Sequence, residues 1–115
     1  MVAPFRRGQV RWADLDPVLG HEQAGRRPLL IVQNDVGNEA SSTVIVVSIT
    51  AQRPRRAYPF LVPLPDRMLA RPSVVNCAQV RTLDKARLSV EPLATLSAET
   101  MAAVDEALRV SLGLY

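Results

Sequence analysis

The chain has 115 residues, enough for one domain with one core, and 48% of them are hydrophobic, as in a globular protein. No apolar stretch approaches the roughly 20 residues that span a bilayer, and none opens the chain, so a cytoplasmic protein with no membrane association is expected; the single cysteine, Cys77, excludes an internal disulfide and a multi-cysteine metal site. The charge is uneven: residues 1–96 carry 13 basic and 8 acidic side chains, whereas residues 97–115 set Arg109 against Glu99, Asp105 and Glu106, so a polyanionic partner belongs with the body of the chain and not with its tail.

Nine prolines fall mostly between apolar runs and punctuate a series of short strands. Residues 9–15 predict the first, with Val10 and Trp12 alternating against Gln9 and Arg11. Residues 16–26 read as a loop, and residues 28–34 as a second strand opened by Pro28. Residues 43–50, TVIVVSIT, form the strongest candidate, rich in β-branched side chains. Its two faces are both apolar, Ile45, Val47 and Ile49 on one and Val44 and Val46 on the other, so the C-terminal helix or a second subunit is expected to cover the second face. Shorter strands are expected over 60–64, 73–77, 79–83 and 88–93, with a helical turn at 84–87. Met101, Val104, Leu108 and Leu112 then recur at helical spacing, with Ser97 as N-cap, Glu99 in the first turn and Gly113 after the last. The expected fold is mainly β: a small, strongly curved antiparallel sheet or barrel closed by a C-terminal helix.

Several residues carry candidate chemistry. Pro28 holds Arg27 extended at a strand entrance beside a loop with two glycines, where its guanidinium either bridges a carboxylate or clamps a phosphate through its planar fork of donors. Thr50 ends the third strand on the same face as Ser48; its hydroxyl either bonds local backbone or orients a phosphate at the lip of the sheet. Arg53, Arg55 and Arg56 precede Tyr58 and Phe60, a mixture of cations and aromatics that grips single-stranded nucleic acid or else forms a solvated loop. Phe60 reads as core. Gln79 and Arg81 share one strand face and offer contacts to a base edge or an ordinary polar surface. His21 is the sole histidine, so no two-histidine acid–base pair exists within one chain. Asp14, Asp16 and Glu22 lack metal-ligand spacing and read as surface or capping groups.

Taken together, RGQVRWADLDPVLGHEQAGRRPLLIVQND (7–35), VIVVSITAQ (44–52), AQVRTLDKARL (78–88) and VDEALRVSLGL (104–114) resemble, in order, the MazF/PemK/Kid family of toxin endoribonucleases. The resemblance implies an SH3-like small barrel of the PemK/CcdB type, a homodimer, and cofactor-free, metal-independent cleavage of single-stranded RNA, usually messenger RNA, at short sequences. It also implies a MazE-like antitoxin whose acidic tail covers the basic groove. The family's catalytic arginine falls on Arg27 and its catalytic threonine on Thr50. Its glutamine before a hydrophobic–Arg–Thr run falls on Gln79, and its loop glutamine and glycine on Gln23 and Gly25. Relatives often carry an acidic residue where this chain has Ala78, so acidic support of the site is not expected here. Two other readings keep the barrel: a gyrase-binding toxin of the CcdB type, and an RNA-binding module without catalysis.

Overall fold

A computed structural model describes residues 2–15, 25–51, 56–65 and 67–114. Six strands form one sheet in the order β4-β5-β3-β2-β1-β6, every neighbouring pair antiparallel. In chain order these are β1 (Gln9–Leu15), β2 (Gly25–Ile31), β3 (Thr43–Thr50), β4 (Leu61–Pro63), β5 (Val74–Asp84) and β6 (Ala94–Thr95). Helix α1 (Asp35–Ala40) links β2 to β3, and helix α2 (Ala98–Leu112) closes the chain. The sheet curls into a half-barrel against α2, the mainly β architecture that the strand pattern predicts.

The apolar faces of β3 explain the curl. Val47 and Ile49 join Val10, Leu30, Val62 and Val75 in a core capped by Met101, Val104 and Ala107 of α2. The opposite face, with Val44 and Val46, packs with Ala13, Leu15, Leu29, Ile31, Leu83 and Leu88. Helix α2 lies on the other face, so it is not the cover of this one. The curl brings Leu88, bridged to Ala13 after a 3-10 turn (Lys85–Arg87), and Phe5 of the N-terminal segment onto it. Ile45 lies on the face of α2 but stays 36% exposed.

Helix α2 is capped as its sequence predicts. Ser97 Oγ accepts from the Thr100 amide at 3.1 Å, and Gly113 takes φ +70°, the left-handed conformation that ends helices. Its buried stripe is Met101, Val104 and Ala107, and Leu112 is exposed. Burial of the Cys77 thiol beneath this helix, with Asp105 adding to the effect, pushes its pKa up to about 11. Native protein at pH 7.5 is therefore expected to resist alkylation at Cys77 and to react promptly once unfolded in urea; a mass-shift time course measures both.

Other boundaries differ from expectation. Strand β2 starts at Gly25 and ends at Ile31, so Arg27 lies inside the strand and not at its entrance. Pro28 is accommodated because pairing with β3 begins one residue later, at Leu29, and demands no donor from the proline nitrogen. The strands expected over 73–77 and 79–83 are one strand, β5, whose pairing with β3 jumps from Val47↔Val80 to Ser48↔Asn76. The strand expected over 88–93 is replaced by Ala94–Thr95, paired with Gln9 and Val10. Helix α1 was not expected; Asn34 Oδ1 caps it by accepting from the Gly37 amide at 2.8 Å.

Candidate functional site

Arg27 and Thr50 belong to adjacent strands, each two positions beyond the last residue pair of the β2–β3 ladder. Strand β2 pairs with β3 through Leu29↔Ser48, Leu30↔Val47 and Ile31↔Val46. Extending that register two residues beyond its last pair sets Thr50 across from Arg27. Alternation puts Arg27 on the face of Leu29 and Ile31, and Thr50 on the face of Ser48 and Val46, which is the same face. Arg27 is exposed and Thr50 half-buried. On its other side Thr50 pairs with Val74 of β5, so central strands hold its backbone.

A cleft of about 450 Å³ opens at this end of the sheet. Arg26, Arg27 and Arg71 supply its cations, while Trp12, Met68, Leu69 and Leu93 supply an apolar wall. Met68 and Leu69 pack onto the main core, which steadies that wall. They follow Arg67, whose φ of 68° is unusual for a residue with a Cβ. Pro28 and Ala51, the neighbours of Arg27 and Thr50, complete the lining together with Ala70 and Ser73. A concave site with one basic side and one apolar side suits a ligand built from phosphate and a flat ring.

The other candidates are spread more widely. Gly25 opens β2 with φ +77° and open space around its Cα, so the backbone conformation, not crowding, favours glycine there. Ser48 is buried opposite Leu29 and offers no surface for direct contact. Gln79 lies in the stretch of β5 that has no partner on β3, and Arg81 pairs with Val46. Neither lines the cleft. The Nη1 of Arg81 is buried without a hydrogen-bond partner, an unusual state for a guanidinium nitrogen. Arg56 is exposed, and the Tyr58 ring stacks on Phe60 with centroids 5.3 Å apart and stays 41% exposed; Phe60 packs on the core. Gln23, Arg53 and Arg55 lie outside the described residues, as do Asp16, His21 and Glu22.

Three residues at the cleft escape the sequence reading. Arg71 stands before Pro72, a second Arg–Pro pair and the signal that marks it. Arg26 and Trp12 both line the cleft and face each other, the guanidinium carbon 5.2 Å from the indole centroid. Among the described residues no group of three or more His, Cys, Asp or Glu side chains is gathered to hold a metal ion. No helix there is long and apolar enough to cross a membrane.

Residues 6–112 match a family model described as the PemK-like, MazF-like toxin of type II toxin–antitoxin systems. The chain is 46% identical over 111 residues to the endoribonuclease EndoA of Bacillus subtilis (strain 168), covering 95% of each protein. Among solved structures it is similar to MazF from Deinococcus radiodurans, with a TM-score of 0.80, 31% identity and 99% of both chains covered. It is similar also to a mycobacterial endoribonuclease solved in complex with its cognate antitoxin, with a TM-score of 0.78, 33% identity and 96% of both chains covered.

Proposed function

The chain belongs to the PemK-like, MazF-like toxin family and is an endoribonuclease, and on that premise we propose how it cuts and what restrains it. The substrate is single-stranded RNA, above all messenger RNA, cut at a short sequence in the cytoplasm. The nucleophile is the RNA's own 2′-hydroxyl. Its oxygen bonds to the adjacent phosphorus and loses its proton as the bond from phosphorus to the 5′-oxygen breaks. That 5′-oxygen takes up a proton, leaving a 2′,3′-cyclic phosphate on one fragment and a 5′-hydroxyl on the other. Arg27 neutralises the charge that builds on the pentacoordinate phosphorus, and Thr50 donates its hydroxyl to a non-bridging oxygen and holds the group in line. The observation that supports this reading is the alternation along β2 and β3, which directs Arg27 and Thr50 to one face of the sheet, with Arg27 also lining the basic cleft.

Such chemistry requires neither metal nor organic cofactor. Gln79 and Arg81 bind the RNA further along the same face. Gln23, Gly25, Arg53, Arg55, Arg56 and Tyr58 contribute as loop and groove contacts, and Ser48 acts from beneath. The working form is a homodimer; Ile45 and Val80, exposed neighbours on one face of β3 and β5, are apolar surface for a second copy to cover. A MazE-like antitoxin lays its acidic tail over the basic cleft and blocks it, a partner supported by the antitoxin complex of the mycobacterial relative.

Incubation with a long mixed-sequence RNA tests the chemistry. Discrete fragments are expected, with cyclic phosphate ends by mass spectrometry and an unchanged rate in excess EDTA. Loss of cutting in EDTA, or 5′-phosphate ends, refutes the proposed chemistry.

A further inference from the structure

Trp12 and Arg26 border a second cleft, and this second site is not needed for the chemistry at Arg27. It has a volume of about 270 Å³ and is lined by Trp12, Asp14, Arg26, Arg87 and Ser89, with backbone and small side chains between them. Both residues also line the larger cleft that holds Arg27. The pair is therefore a partition with a cavity on either side. In register, Trp12 pairs with Pro28 and Asp14 with Arg26, so Arg26 is the diagonal cross-strand neighbour of Trp12 on one face of the sheet. The separation of 5.2 Å is within the range of a cation–π contact.

The partition is built on a rigid base. The Trp12 carbonyl accepts from the Ser89 amide at 2.8 Å, and the next residue, Ala13, bridges Leu88. On the other edge β1 is paired with β2 from Val10 to Leu15. Arg87 Nη1 reaches the Asp14 carbonyl at 3.4 Å across the floor of the smaller cleft. An indole held this way loses little freedom when a flat ring stacks on it. A surface cation–π pair serving only stability needs no cavity on both sides.

We propose that Trp12 and Arg26 form a nucleobase-stacking partition, which seats one base of a single-stranded RNA in the larger cleft beside Arg27 and an adjacent base in the smaller cleft beside Arg87. Indole rings and guanidinium planes both stack on bases, and both present phosphate-compatible edges or charge. Two seats on either side of one wall force the strand to splay neighbouring bases apart. The inference rests on the RNA-cutting reading above and adds the residues that hold the strand.

Trp12 is the single tryptophan of the chain, so its fluorescence reports on this wall alone. The probe is a mixed-sequence, fully 2′-O-methyl oligonucleotide, which lacks the attacking hydroxyl, compared with an abasic strand of equal length. Saturable quenching by the base-bearing strand, with none by the abasic one, is expected. In steady-state cleavage, Trp12→Ala is expected to raise KM about 10-fold, the effect of losing one stacked base, with kcat little changed. Trp12→Phe should recover most of that loss, and Arg26→Ala, at an exposed position, should raise KM without disturbing the fold. Equal quenching by both strands, or an unchanged KM in Arg26→Ala and Trp12→Ala, overturns the partition. Cleavage that proceeds with no quenching also overturns it while leaving the endoribonuclease chemistry intact. Base-dependent quenching in a protein that forms no cyclic phosphate upholds the partition and removes the proposed chemistry instead.

Discussion

Replacing Arg27 with alanine is expected to lower the rate of RNA cleavage about 100-fold or more, with the fold unchanged. Arg27 is exposed on β2, so its loss opens no cavity in either core. The effect is therefore on the chemistry. Removing one preorganised donor from a site of charge development costs ~100- to 1,000-fold in other enzymes, and a guanidinium supplies both charge and a two-point fork. Arg27→Lys keeps the charge and loses the fork, so it should recover part of the rate and not all of it. Thr50→Val should slow the reaction too, and the double variant should be less impaired than the product of the two single losses, because both side chains act on one phosphate. Arg109→Ala is the control: Arg109 sits exposed on α2, paired with Glu106, away from the cleft. Single-turnover rates on one RNA decide the matter. A rate for Arg27→Ala within threefold of the parent removes Arg27 from the mechanism.

The resemblance names Arg27 and Thr50 as a pair, whereas the local pattern marks each alone and does not say that they share a face. Thr50 ends a strand that β-branched side chains announce, and β3 has the bounds expected of it. Arg27 was marked by the proline after it. Whether the two face each other depends on which residue of β2 lies opposite which residue of β3, a non-local fact that a shift of one position would invert. The local rules failed where the sheet curls. Alternation in β1 assigns Arg11 to solvent, yet the curl buries both faces and Arg11 with them. The unpaired stretch of β5 hides in the same way, since a break in pairing reads in sequence as a break between strands. Helix α1 has six residues, a glycine within it and an exposed Val36, so no apolar period announces it. Trp12 illustrates the limit at the site: its strand was expected, but the cavities on either side are made by the segments 68–71 and 86–89, distant in sequence.

Arg11→Ala is expected to destabilise the fold by about 3–5 kcal/mol, the largest effect of any single polar substitution considered. The side chain is fully buried, and four acceptors satisfy it. Nη1 donates to the Ser89 carbonyl at 2.7 Å, Nη2 to the carbonyls of Ala3 and Pro4 at 3.0 Å, and Nε and Nη2 to Gln9 Oε1 at 3.1 and 2.9 Å. The Phe5 ring covers the guanidinium, its centroid 4.1 Å from Cζ. Burial lowers the pKa of this group, and Glu91 opposes the shift without cancelling it, so the ion is held by hydrogen bonds rather than by a facing carboxylate. Truncation leaves those acceptors without their donor and lets the segment that carries Phe5 lift from the second core. Arg11→Met fills the volume and still leaves the carbonyls unmet, so it should recover little. Arg11→Lys keeps the charge but has no planar fork to reach the Ser89 and Ala3 carbonyls together, and it should recover only part. Domains of this size have total stabilities of ~5–15 kcal/mol, so Arg11→Ala should fall in melting temperature by on the order of 15 °C. Urea denaturation gives the free energy, and amide exchange at Ala3, Phe5 and Arg6 separates local release from global loss. A melting temperature within 3 °C of the parent, with unaltered exchange at Ala3, would mean that the buried guanidinium does not hold the N-terminal segment in place.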